Sequence, residues 1–168
     1  MSKLIFATNN PGKLTELKTK LPSFEIIGLK QAGIDVDIPE TGNTLKENAQ
    51  IKARFIWDNY KVSCFADDTG LEIEALNGEP GVFSARYAGP QKKAEDNMTK
   101  VLTGLANQTN RRAHFKTAIC LILNGTSHFF EGICKGTITN NRRGEEGFGY
   151  DPIFKPDGFD KTLSLIHI

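Results

Sequence analysis

The sequence predicts an α/β protein, a mixed β-sheet with helices packed against it. Three observations carry that prediction. Short apolar, strand-like runs alternate with segments of helical period. Thr44 followed by Glu47 forms a capping box at the head of a long apolar stripe. Asn124-Gly125 lies between two long strand-like runs, the signature of a hairpin.

Residues 3–8 (KLIFAT) read as a short buried strand, and Leu14, Leu17 and Leu21 then recur at helical spacing from Lys13 onward. Residues 24–29 (FEIIGL) are strand-like and lead into a polar loop that runs to about Asn43. The capped helix follows, with Leu45, Ala49, Ala53, Ile56 and Tyr60 along its apolar face. Residues 62–66 (VSCFA) read as a buried strand that ends in Asp67-Asp68-Thr69-Gly70. A half-buried strand over 71–76, a turn at 78–81 and a helix from about Lys93 to Leu105 come next. The hairpin spans 113–123 and 128–139, and a loop rich in Gly, Arg and Glu leads to GFGYDPIF. Strands and helices in this mixed order point to helices laid on a mixed sheet.

Bulk properties set limits. The 168 residues fit one domain, with room for two lobes, and suffice to bury about 68–70% of the unfolded surface. With 21 basic and 20 acidic residues the formal charge is +1, which supplies no general attraction for nucleic acid or an anionic membrane. No run approaches the ~18 apolar residues of a membrane span, and no signal peptide opens the chain. Cys64, Cys120 and Cys134 are odd in number, widely spaced and set in apolar strand-like runs, so reduced core thiols are expected. These features indicate a cytoplasmic protein.

Three stretches carry chemistry. In FATNNPGKLTEL a strand, a tight turn and a helix meet at Lys13. A helix start offers backbone N–H groups and about half a positive charge, Gly12 allows close approach, and Lys13 adds an ammonium, so a phosphate could sit there. The P-loop pattern fails, since only one glycine is present and Leu14 stands where Ser or Thr is required. Alone, the stretch reads equally as a plain N-P-G turn. In CFADDTGL two carboxylates follow a buried strand, where ligands gather in open α/β folds. Hard oxygen ligands suit Mg²⁺ or Mn²⁺, and the rival reading is a simple polar turn. Glu40 lies in the loop ahead of the capped helix, and Asn48 and Lys52 share one flank of that helix. In GFGYDPIF, Phe148 or Tyr150 could stack on a base while Asp151 hydrogen-bonds its edge; an aromatic core strand with a turn fits as well.

Taken together, FATNNPGK, PETGNTLKENAQIKA, FADDTGLEIEALNGEPGVFSARYAG and GFGYDPIFKPDG resemble, in order and spacing, the inosine/xanthosine triphosphate pyrophosphatase family, which clears noncanonical purine nucleotides. The resemblance runs from about Lys3 to Thr162. It implies an elongated mixed sheet with helices forming a two-lobed domain around a nucleotide cleft, usually a homodimer, that uses Mg²⁺ to hydrolyse ITP, dITP or XTP to the monophosphate and pyrophosphate. By the same resemblance Thr8, Asn9, Asn10, Pro11, Gly12 and Lys13 would bind the triphosphate. Asp68 would be the general base and a metal ligand, and Glu40 and Asp67 would complete the ion's carboxylates. Lys52 and Thr69 would contact substrate, while Phe148, Gly149, Tyr150 and Asp151 would frame the purine. Ser84 and Arg86 lie in a further matching stretch.

The resemblance stops after FDKT. A further helical segment and a Ser-His-Arg motif are expected there, whereas this chain ends in LSLIHI, and His167 inherits no role. A nucleotide-binding module with little catalysis is therefore the alternative that the sequence leaves open.

Overall fold

The computed structural model describes residues 2–166; the expectation for His167 lies outside that range. By packing, the chain divides into two compact units. The first comprises Met1–Asp68 and Thr117–Glu131, and the second Thr69–Lys116 and Gly132–Ile168.

The elements in chain order are β1 (Ser2–Phe6), α1 (Pro11–Lys20), β2 (Phe24–Gly28), α2 (Leu45–Tyr60), β3 (Cys64–Ile73), α3 (Ala94–Gly104), β4 (Arg112–Leu123), β5 (Thr126–Ile138), β6 (Phe154–Pro156) and α4 (Leu163–Ile166). Short 3₁₀ turns cover Glu74–Leu76, Gly81–Arg86 and Asp151–Ile153. The sheet has six strands in the order β2-β1-β3-β4-β5-β6. β1 runs parallel to β2 and to β3, whereas β5 and β6 are antiparallel, so the sheet is mixed, as the sequence predicts.

In the first unit, the parallel register sets Phe6 level with Phe65, and the two rings stack at 4.5 Å. Leu14 and Leu17 of α1 pack onto this pair together with Ile26, which is why those two positions recur at helical spacing. Leu21 does not join them; it caps the helix and stays exposed. α2 buries Leu45, Ala49, Ala53 and Ile56, while Tyr60 at its last turn faces solvent. The Thr44 hydroxyl accepts from the Glu47 amide at 3.1 Å, and the Glu47 carboxylate accepts from the Asn43 amide at 2.6 Å. That exchange satisfies donors that would otherwise be stranded at the helix start.

β3 departs from the sequence reading. The strand expected to end at Asp67-Asp68-Thr69-Gly70 does not stop there: one strand continues from Cys64 to Ile73, so the rival reading of that stretch as a simple polar turn fails. Polar residues that would normally leave for solvent remain in the strand because partners distant in sequence meet them. The β4–β5 hairpin forms where expected, with Asn124 and Gly125 both at positive φ (50° and 84°), as a tight two-residue hairpin turn requires.

The second unit gathers Leu71, Ile73, Met98, Val101, Ile153 and Phe154 in its core. Arg111 braces it, donating to the carbonyls of Ile138, Leu105 and Thr139 at 2.7–3.0 Å. All three cysteines are free thiols. Cys64 and Cys120 are buried as predicted, whereas Cys134 is exposed on β5, contrary to the core placement expected of it.

Candidate active site

The first unit assembles most of the predicted residues. Beyond Phe6 the Ala7 amide donates to the Phe65 carbonyl at 2.8 Å, so the chain leaves the sheet at Thr8, alongside the stretch of β3 that bears the carboxylates. The turn that follows is internally bonded. The Asn10 amide donates to the Thr8 hydroxyl at 3.0 Å, and Asn10 Oδ1 accepts from the amides of Gly12 and Lys13 at 2.9 and 3.2 Å. Pro11 occupies the first helical turn, where a missing N–H costs nothing. Asn9 Nδ2 donates to the Val36 carbonyl at 3.1 Å and ties the turn to the loop ahead of α2. The Gly12 and Lys13 amides are thus engaged by the Asn10 cap, and the principal charge the turn can offer an anion is the Lys13 ammonium.

Lys13 Nζ lies 2.8 Å from Asp67 Oδ2. The next residue points elsewhere, because successive side chains on a strand alternate between faces. Asp68 Oδ2 accepts from Asn48 Nδ2 of α2 at 3.1 Å. Lys52, one turn further along α2, reaches Glu40 Oε1 at 3.4 Å. Asp68 is only 8% exposed. Burial, reinforced by the neighbouring Glu40 carboxylate, pushes its acid from the ordinary 3.8 up to about 6, against opposing contributions from Lys52, Asn48 and Lys13.

The expected trio of Glu40, Asp67 and Asp68 is not assembled around one point. Among the described residues no three His, Cys, Asp or Glu side chains form a ready metal cage. Asp67 is held by Lys13, while Asp68 and Glu40 are electrostatic neighbours whose mutual repulsion raises the Asp68 acid. A hard dication would relieve that repulsion. Mg²⁺ in particular is usually bound by one or two carboxylates together with substrate phosphates rather than by an all-protein cage. The residues present fit that manner of binding.

Two positions, Asn48 and Gly42, carry more weight in the structure than in the sequence. Asn48 is fully buried and bonds Asp68 on one side and the Gly42 amide, at 2.7 Å, on the other. A Cβ on Gly42 would fall 2.7 Å from Asn48 Oδ1, so the backbone approach requires glycine. An asparagine set between Leu45 and Ala49 on an apolar helix face was the available signal.

The remaining predicted residues belong to the second unit. Thr69 follows Asp68 on β3 and is half-buried. Phe148 is exposed, whereas Tyr150 is buried in the core and its hydroxyl donates to the Ser84 carbonyl at 2.6 Å. Gly149, between them, takes a left-handed φ of 61°. The Asp151 carboxylate accepts from the Phe148 amide at 3.1 Å and fixes this turn. Of the two rings proposed for stacking, Phe148 is the one with a face to offer. Ser84 Oγ accepts from the Leu71 amide at 2.9 Å, and the Arg86 guanidinium lies over the Phe83 ring at 5.1 Å, so both residues have structural partners here.

Fold and site together define a mixed α/β protein whose carboxylates and lysines are disposed for phosphate chemistry. Residues 4–167 match the Ham1 family, and the chain belongs to it. Over 167 residues it is 53% identical to a dITP/XTP pyrophosphatase of Flavobacterium psychrophilum, an alignment covering 99% of this chain and 88% of the relative. Among solved structures it is similar to the Ham1 protein of Staphylococcus aureus, with a TM-score of 0.86 and 41% identity over 97% of this chain and 85% of that one. A HAM1 protein from Coxiella burnetii gives a TM-score of 0.87 and 37% identity, covering 98% of this chain and 86% of the other.

Proposed function

We propose that this chain hydrolyses noncanonical purine nucleoside triphosphates (ITP, dITP or XTP) to the monophosphate and pyrophosphate, with Asp68 as general base and Mg²⁺, or Mn²⁺ in its place, as cofactor. Membership of a family whose relatives are dITP/XTP pyrophosphatases supports the substrate class. The observation that carries the catalytic assignment is a buried carboxylate with its acid near 6, held by a neutral amide and flanked by Glu40 and Lys52. Such a group is ionised at pH 7 yet retains more proton affinity than an ordinary aspartate.

In this reading Asp68 takes a proton as water adds to phosphorus, and the bridging P–O bond between the α and β phosphates breaks to release pyrophosphate. Lys13 and Lys52 offset phosphate charge, the first exchanging its Asp67 partner for substrate. Glu40 and Asp68 would hold the dication, which when bound neutralises charge on the phosphate oxygens. Discrimination against adenine would rest on hydrogen bonds to the 6-oxo group, since a site that demands such a bond rejects an analogue lacking it by about 10⁴–10⁵. Phe148 is the candidate for stacking on the purine. By the same family resemblance the protein is proposed to act as a homodimer in the cytoplasm; among the described residues no helix is long and apolar enough to cross a membrane.

Product analysis tests the proposal. The 168-residue chain is incubated with ITP and Mg²⁺, with ATP and GTP in parallel, and pyrophosphate is separated from orthophosphate. Pyrophosphate and monophosphate in equal amounts, formed selectively from ITP, are expected. Orthophosphate as the product, or binding of ITP without turnover, would overturn it.

A further inference from the structure

We propose that Asn48 is a positioning residue for catalysis, a buried amide that fixes the Asp68 carboxylate and ties it to the loop carrying Glu40. This rests on the reading of Asp68 as the base. Asn48 is fully buried on α2, and both ends of its amide are used. Oδ1 accepts from the Gly42 amide at 2.7 Å, and Nδ2 donates to Asp68 Oδ2 at 3.1 Å.

The orientation of that amide follows from its partners. A backbone N–H can only donate, so the oxygen of Asn48 must face Gly42. The NH₂ is thereby aimed at a carboxylate, which when ionised can only accept. Flipping the side chain would break both bonds at once. Asp68 Oδ2 is committed to Asn48, and Oδ1 is left as the proton acceptor.

The same residue joins two parts of the centre. Gly42 lies two residues after Glu40, and a Cβ there would also fall 2.7 Å from the Glu47 Cβ, so this loop is pressed against the first turn of α2. Lys52, at i+4 from Asn48 on the same face, holds the Glu40 carboxylate at 3.4 Å. One face of α2 therefore grips the base through Asn48 and its neighbouring carboxylate through Lys52. The helix itself is fixed by Ala49, Ala53 and Ile56 in the core. A fully buried residue thus sets the orientation of the Asp68 carboxylate.

Asn48→Asp tests this with little change of volume, since it keeps an acceptor for Gly42 and replaces the donor to Asp68 with a second carboxylate. Loss of orienting partners of this kind typically costs about 10- to 100-fold. We expect a fall in kcat of that size with KM for ITP changed by less than about threefold. Because Asn48 acts through Asp68, adding Asn48→Asp to Asp68→Asn should produce no further loss of the residual rate, a non-additivity that a general folding defect would not give. Should Asn48→Asp fail to fold, Asn48→Ser, whose hydroxyl is too short to reach both partners, is put through the same cycle. Normal kcat in a folded Asn48 variant, or fully additive losses in the double variant, would overturn the proposal. If Asp68→Asn itself turns over normally, the assignment of the base fails, an outcome distinct from the first two.

Discussion

Replacing Asp68 by Asn should make the metal-free protein more stable while greatly lowering its turnover. The folded state holds a proton on Asp68 up to about pH 6, whereas the unfolded chain releases it near 3.8. Between those values the folded form binds more protons, so stability falls as pH rises through the window and is lowest above it. The interval corresponds to about 3 kcal/mol, at about 1.4 kcal/mol for each factor of ten in proton affinity. Asparagine copies the shape of the neutral acid and still accepts from Asn48 Nδ2, so at pH 8 it removes that cost. For a chain of this length a gain of about 3 kcal/mol amounts to about 6–12 °C in Tm.

Calorimetry or urea unfolding in EDTA, at pH 8 and again at pH 4, measures the effect. The variant should be more stable at pH 8, and the gap should fall below about 1 kcal/mol at pH 4, where the folded wild type is already protonated. Adding Mg²⁺ at pH 8 should stabilise the wild type more than the variant and narrow the gap. In the same variant kcat should fall by about 10²–10⁴, the usual contribution of a positioned base, with nucleotide binding retained. A variant that is less stable at pH 8, or whose gain is equal at both pH values, would show that burial of Asp68 carries no such cost and would refute the reasoning.

Two further perturbations probe the phosphate turn and the aromatic turn. Asn10→Ala removes the oxygen that accepts from the Gly12 and Lys13 amides, and urea unfolding should register a loss of about 1 kcal/mol, as for other helix caps. Tyr150→Phe deletes a buried hydroxyl that donates to Ser84 and should cost about 1 kcal/mol with KM unchanged; Phe148→Ala, at an exposed ring, should raise KM for ITP with little change in stability.

The legible parts of the fold were those determined by neighbours in sequence. Thr44 and Glu47 lie three residues apart and specify the start of α2 by themselves, and Asn124-Gly125 specifies the hairpin through its own backbone preferences. Asp67-Asp68-Thr69-Gly70 has the composition of a turn, and nothing nearby contradicts it. Its partners, Lys13 and Asn48, lie 54 and 20 residues earlier, and only folding brings them to the strand. The residues of the candidate site were legible as types, while their pairing was not. Two adjacent aspartates suggest one shared ion in a sequence. On a continuous strand they alternate, one toward α1 and the other toward α2. Tyr150 and Phe148 were equivalent in sequence, and burial separates them.

The pairing that the sequence concealed has a chemical consequence. Lys13 and Lys52 are each bonded to a carboxylate other than Asp68, the proposed base: Lys13 to Asp67 and Lys52 to Glu40. The direct partner of Asp68 is a neutral amide. An ammonium or guanidinium in contact with Asp68 would hold it just as firmly, but an adjacent cation lowers a carboxylic acid by about one to three pKa units and would weaken it as a base. A neutral donor orients the carboxylate with a smaller loss of proton affinity, while burial and the nearby Glu40 raise that affinity. The distribution of charge over Glu40, Asp67, Lys13 and Lys52 thus leaves near-neutral basicity at the one carboxylate that Asn48 holds in place.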